Sequence, residues 1–130
     1  HTADLALRVF GGSAPDLYEN AAVAMFDRIT DRGRLQGKIS QKIRIEGTDR
    51  ADLMVNWLRE LLYQWNGKET LVNSVRIDRL SRKDLGALVK VDPFDKKRHE
   101  IQAEIKAVTY HQIRVTQNRN RWEATIVFDV

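Results

Sequence analysis

Two aspartates stand near the ends of the chain, where they could do chemistry together. Asp4 opens an alternating segment, and Asp129 closes another, one residue before Val130. Were these segments neighbouring strands, two carboxylates and the α-carboxylate of Val130 would meet. Hard anionic oxygens of that kind are the ligands of Ca²⁺, Mg²⁺ or Mn²⁺. Spacing alone does not bring the ends together, and aspartates at strand ends are more often solvated or turn-forming.

A second candidate is the run from Pro93 to His111, which gathers cations, carboxylates and imidazoles around a strand start. In it Lys106 could contact a phosphate or a partner's carboxylate, with Glu104 beside it and His99 and His111 in support. The plainer alternative is a solvated charged loop that leads into an ordinary strand. A third combination, Tyr110 and Trp122 with Arg119 and Arg121, could stack on single-stranded RNA. The parity of Trp122 with Ala124, Ile126 and Phe128 argues for a core position instead, as does the helical stripe that holds Trp57 and Trp65.

Several chemistries are excluded. Gly11–Gly12 lacks the remaining glycines of a dinucleotide fingerprint, and no Walker loop is present. His1, His99 and His111 are too far apart for a spaced zinc motif, and Ser13, Ser40, Ser74 and Ser81 occupy no nucleophile elbow. With no cysteine, disulfides and thiolate sites are absent, which suits a reducing cytoplasmic setting. The net charge of +4 suits nucleic acid or an acidic protein surface without choosing between them. An unassisted hydrolase is hard to assemble from what is left.

The elements that must position these residues follow from periodicity. Leu5, Leu7 and Val9 alternate with polar neighbours, so Leu5–Phe10 reads as a half-buried strand that ends at Gly11–Gly12. Ser13 caps a helix from Pro15 to about Thr30 with Leu17, Ala21, Met25 and Ile29 on one face. Lys38–Glu46 reads as a strand. Asp49 caps a second helix, Arg50–Asn66, whose stripe runs from Leu53 to Trp65 and stops at Gly67. Strands follow around Val75–Ile77 and Leu85–Val91, joined by the polar Ser81–Asp84 and ended by Asp92–Pro93. Asp95–His99 is expected to form one helical turn. Ile105–Thr116 and Arg121–Val130 then form a last strand pair. In 130 residues this is one α+β domain, two helices on a mixed or antiparallel sheet, with no apolar run long enough to span a bilayer.

A family resemblance sharpens these expectations. His1-Thr2-Ala3-Asp4, Asn20–Phe26, Trp57–Tyr63, Pro93-Phe94-Asp95, Arg98-His99-Glu100, Glu104–His111 and Val127-Phe128-Asp129-Val130 resemble archease segments, in order along the chain. Archeases usually run several residues ahead of the position that His1 matches, and often end in Ile where this chain has Val130. The resemblance implies a strand-helix-strand-strand-like fold and an accessory protein rather than an enzyme. It implies a partner, the GTP- and manganese-dependent RNA ligase that joins transfer-RNA halves, so that contact with transfer RNA is indirect. It also implies a divalent-cation site at Asp4, Asp129 and Val130, filled by Ca²⁺ or by Mn²⁺ or Mg²⁺. Lys106 takes the place of the family's functionally important lysine.

Overall fold

The computed structural model describes residues 3–130, so the expectation for His1 lies outside the described residues. The elements in chain order are β1 (Asp4–Gly11), α1 (Ala14–Ile29), a short 3-10 turn (Arg32–Arg34), β2 (Ile39–Glu46), α2 (Arg50–Asn66), β3 (Thr70–Leu80), β4 (Asp84–Pro93), β5 (Ala107–Val108), β6 (Arg114–Asn118) and β7 (Arg121–Asp129). Both helices begin as the sequence indicates. The Ser13 side chain accepts from the Asp16 N–H, and the Asp49 carboxylate from that of Asp52, so each cap satisfies a free donor of the first turn.

Among the described residues the strands form two antiparallel sheets rather than one. In the first, β7 lies between β1 and β5, and β6 also pairs with β7; in the second, β4 lies between β2 and β3. Both helices pack against both sheets.

Two segments depart from the periodicity. The expected strand Ile105–Thr116 is broken into β5 and β6 by a turn in which Tyr110 O accepts from the Ile113 N–H and Gln112 takes φ 52°. A left-handed residue other than glycine leaves no signal in the sequence, so alternation ran through the turn unmarked. The β4 ladder also continues through Asp92 to Pro93, which pairs with Thr70. Asp92 is buried, and its carboxylate accepts from the N–H groups of Gln36 and Gly37, so it anchors a loop instead of breaking the strand. Proline, with no N–H to donate, ends the strand.

The core gathers Leu17, Met25, Phe26 and Ile29 of α1, Leu53, Trp57, Leu58 and Leu61 of α2, and the inward residues of β4 and β7. The helices are also joined by hydrogen bonds. Trp57 Nε1 donates to Tyr18 O at 2.9 Å, and the Tyr18 hydroxyl donates to Arg50 O at 2.7 Å. Burial pushes the Tyr18 phenol well above its ordinary pKa, so it stays a donor throughout the physiological range. Trp57→Phe removes the indole N–H and leaves a small void; we expect it to cost about 1–3 kcal/mol. Urea unfolding would report this as a lower midpoint at unchanged slope.

Candidate functional site

The strand register answers the question of the chain's ends. β1 and β7 pair antiparallel with Asp4 opposite Asp129, and the Val130 N–H donates to Ala3 O at 3.1 Å. Inward parity belongs to Leu5, Leu7 and Val9 against Phe128, Ile126 and Ala124, so Asp4 and Asp129 share the opposite side. Directly opposed residues of an antiparallel pair hold their Cβ atoms about 4.5–5.5 Å apart, within reach of a common ligand. Asp4 is exposed and Asp129 half-buried.

The segment before β5 completes this end of the molecule. Thr30 Oγ1 donates to Glu100 O at 2.7 Å and the Gln102 N–H to Ile29 O at 2.8 Å, tying Glu100–Gln102 to the last turn of α1. Asn66 Nδ2 then donates to Ile105 O at 3.0 Å, which fixes the same segment to the end of α2. Between these ties the chain passes Arg28 and forms a cleft of about 340 Å³ lined by Asp4, Leu5, Arg28, Ala103, Glu104, Ile105 and Val130. Asp129 is not among the lining residues and meets Asp4 through the strand pairing. Arg28 was not singled out by the sequence, where it reads as a solvated helix cation.

No three His, Asp or Glu side chains gather into a metal-binding group among the described residues. What the β1–β7 pairing brings together at this tip is two carboxylates, those of Asp4 and Asp129. These are hard oxygens, of a type that fits Ca²⁺, Mg²⁺ or Mn²⁺ and not a soft metal.

Lys106 faces elsewhere. Its backbone N–H donates to Asp129 O at 2.7 Å, so the main chain joins it to the tip. The residue lines a separate cleft of about 380 Å³, with Arg59, Leu62, Tyr63 and Asn66 of α2 and with Ala107 and Val108. Neither His99 nor His111 lines that cleft. His99 Nδ1 accepts from the Asp95 N–H at 3.0 Å, and its ring lies 6.2 Å from Phe94, so it braces the turn that the sequence placed there. His111 is exposed in the Thr109–Gln112 turn, its N–H on Thr109 Oγ1 at 3.2 Å.

The aromatics also settle into places. Trp122 is half-buried at the core's edge with the Arg50 guanidinium 4.7 Å above its ring. Tyr110 is exposed, its ring covered by Arg59 at 4.6 Å and its hydroxyl donating to Asp52 at 2.6 Å. This bond ties the β5–β6 turn to α2.

The fold and the tip together define a small α+β protein with a carboxylate pair at the junction of its first and last strands. The Archease protein family (MTH1598/TM1083) matches residues 1–130, and the chain belongs to the archease family. It is 33% identical to the protein archease of Methanosarcina barkeri, over all of this chain and 92% of that one. It is also 33% identical to that of Methanopyrus kandleri, over all of this chain and 95% of that one. The solution structure of protein 1598 of Methanobacterium thermoautotrophicum superposes with TM-score 0.78 at 28% identity, covering 100% of this chain and 94% of that one. An archease of Thermotoga maritima, described as a possible chaperone, gives TM-score 0.72 at 21% identity, covering 100% and 93%.

The Tyr110–Asp52 link carries a pH prediction. The Tyr110 hydroxyl, then the Thr48 N–H, hold the Asp52 carboxyl below its ordinary range, and the same bond to Asp52 raises the Tyr110 phenol. A lowered acid pKa contributes stability at neutral pH that is lost as pH falls through the folded value. A raised phenol pKa contributes stability that is lost as pH rises through its folded value. We expect the Tyr110 ring resonances to hold one position across neutral pH and to move at both extremes, the acid limb below the ordinary carboxylate range. Asp52→Ala should remove the acid limb and return the phenol towards its ordinary titration.

Proposed function

We propose that this archease activates an RNA ligase of the GTP- and manganese-dependent, transfer-RNA-joining kind, and that the carboxylate tip is the part of it that acts. The observation that carries this reading is the opposition of Asp4 and Asp129 across the β1–β7 ladder. Asp4 and Asp129 would hold a divalent cation, which would supply positive charge near phosphate oxygens of the ligase reaction. The protein's own residues have separable tasks. Asp4 and Asp129 would hold the cation, and the β1–β7 ladder keeps them in register. Lys106, joined to Asp129 through the main chain, meets the partner from the neighbouring cleft. Contact with transfer RNA passes through the ligase. A possible chaperone, as the Thermotoga protein is described, would likewise act on a partner protein.

Single-turnover guanylylation of the cognate ligase is the direct test. Wild type should accelerate it, and folded Asp129→Ala should lose at least about tenfold of that acceleration together with Ca²⁺ or Mn²⁺ binding. Full activation by the variant would sink the reading. Steeply salt-dependent RNA binding that survives loss of both aspartates would point to an RNA-recruiting module.

Arg28 offers a second check that does not depend on the ligase. Arg28 lines the cleft beside Asp4, and its positive charge would oppose a cation there. Arg28→Ala should tighten Ca²⁺ binding about two- to fivefold at low salt, read by calorimetry, an effect that fades as salt screens the charge.

A further inference from the structure

The cleft beside Lys106 has a composition of its own. Its floor is Leu62, Ala107 and Val108, and no acidic residue lines it. Its rim is cationic and aromatic: Arg59, Lys106, and Tyr63 with the Lys68 ammonium 5.6 Å from its ring. Tyr63 is 54% exposed and Tyr110 48%, the highest exposures among the large hydrophobic side chains, and Arg59 covers the Tyr110 ring while lining the same cleft as Tyr63. Neither Lys68 nor Lys106 forms an ion pair among the described residues.

We propose that this cleft seats an acidic, extended segment of a protein partner, an apolar side chain on the Leu62–Val108 floor and carboxylates against Lys106 and Lys68. The inference rests on the activator reading and names the surface by which that partner is held. Charge complementarity argues for an acidic occupant, and the apolar floor for a peptide with a hydrophobic anchor.

A nucleotide fits less well. The Asn66 amide, which could donate to a phosphate, is committed to Ile105 O, and the apolar floor offers a phosphate no donor. Strand addition is also disfavoured. β5 ends its sheet, but Arg59 Nε already donates to the Val108 carbonyl at 3.0 Å. Recognition therefore falls to side chains, with exposed Tyr63 as the aromatic anchor.

The test compares wild type, Tyr63→Ser and Lys68→Glu for affinity to the intact cognate ligase, for Ca²⁺ affinity, and for guanylylation at saturating concentration. Both side chains are exposed, so the fold should survive either change. Each variant should weaken ligase binding about tenfold or more, leave Ca²⁺ affinity unchanged, and retain full stimulation once saturated. Wild type that activates while both variants bind the ligase as tightly would overturn the cleft assignment and leave the activator reading standing. Variants that lose affinity for single-stranded RNA instead would also overturn it. Wild type that neither binds nor activates the ligase would remove both.

Discussion

The antiparallel ladder between β1 and β7 joins the two ends of the chain, and its register is set by the core rather than by the carboxylates it displays. Leu5, Leu7 and Val9 turn inward against Phe128, Ile126 and Ala124. A slip of one residue would turn these side chains to solvent and drive Asp4 or Asp129 into an apolar interior. Burying an unpaired carboxylate costs far more than its exposure. Hydrophobic packing of β1 and β7 on α1 therefore fixes where the two aspartates stand, although neither aspartate packs into the core.

α2 does for the second cleft what this ladder does for the tip. Its buried stripe anchors it through Trp57 to Tyr18 on α1. Its other side reaches the irregular connection between β4 and β6 at three points: Asn66 to Ile105 O, Arg59 to Val108 O, and Asp52 to the Tyr110 hydroxyl. A connection with only two residues of strand, β5, would otherwise have few reasons to hold one shape. The helix supplies those reasons along four turns, and so keeps Lys106 one main-chain hydrogen bond away from Asp129.

Local signals made much of this legible in sequence. Period and caps located both helices, with Arg50–Asn66 matching end for end and the first helix shifted by one residue. The two aspartates stood out as carboxylates near the two ends, whereas Glu104, grouped in sequence with Lys106, lines the cleft beside Asp4 instead. What could not be read was pairing. Alternation shows that a segment is a strand but not which strand lies beside it, so the division into two sheets and the meeting of the chain's ends both waited for coordinates. The break at Tyr110–Gln112 was hidden for a related reason, since its left-handed residue is not glycine. Arg28, Arg59 and Tyr63 carried no signal because an exposed residue on a helix looks like any other until its neighbours are known.

The openness of the tip bears on how it can act. Asp4 and Glu104 are exposed, and Asp129 is only half-buried. In water, charges at this distance interact weakly, and fixed dipoles gain catalytic force only where solvent is excluded. A carboxylate pair on an open strand end therefore lacks the low-dielectric surroundings that an active site builds from its own walls. Another surface can provide them by closing over the tip. Lys106 and the apolar cleft lie one strand away on a different face, where contacts could hold such a surface without obstructing the carboxylates. If, as proposed, a partner is held at the cleft and acted on at the tip, this separation would let affinity be gained at one without changing the charge at the other.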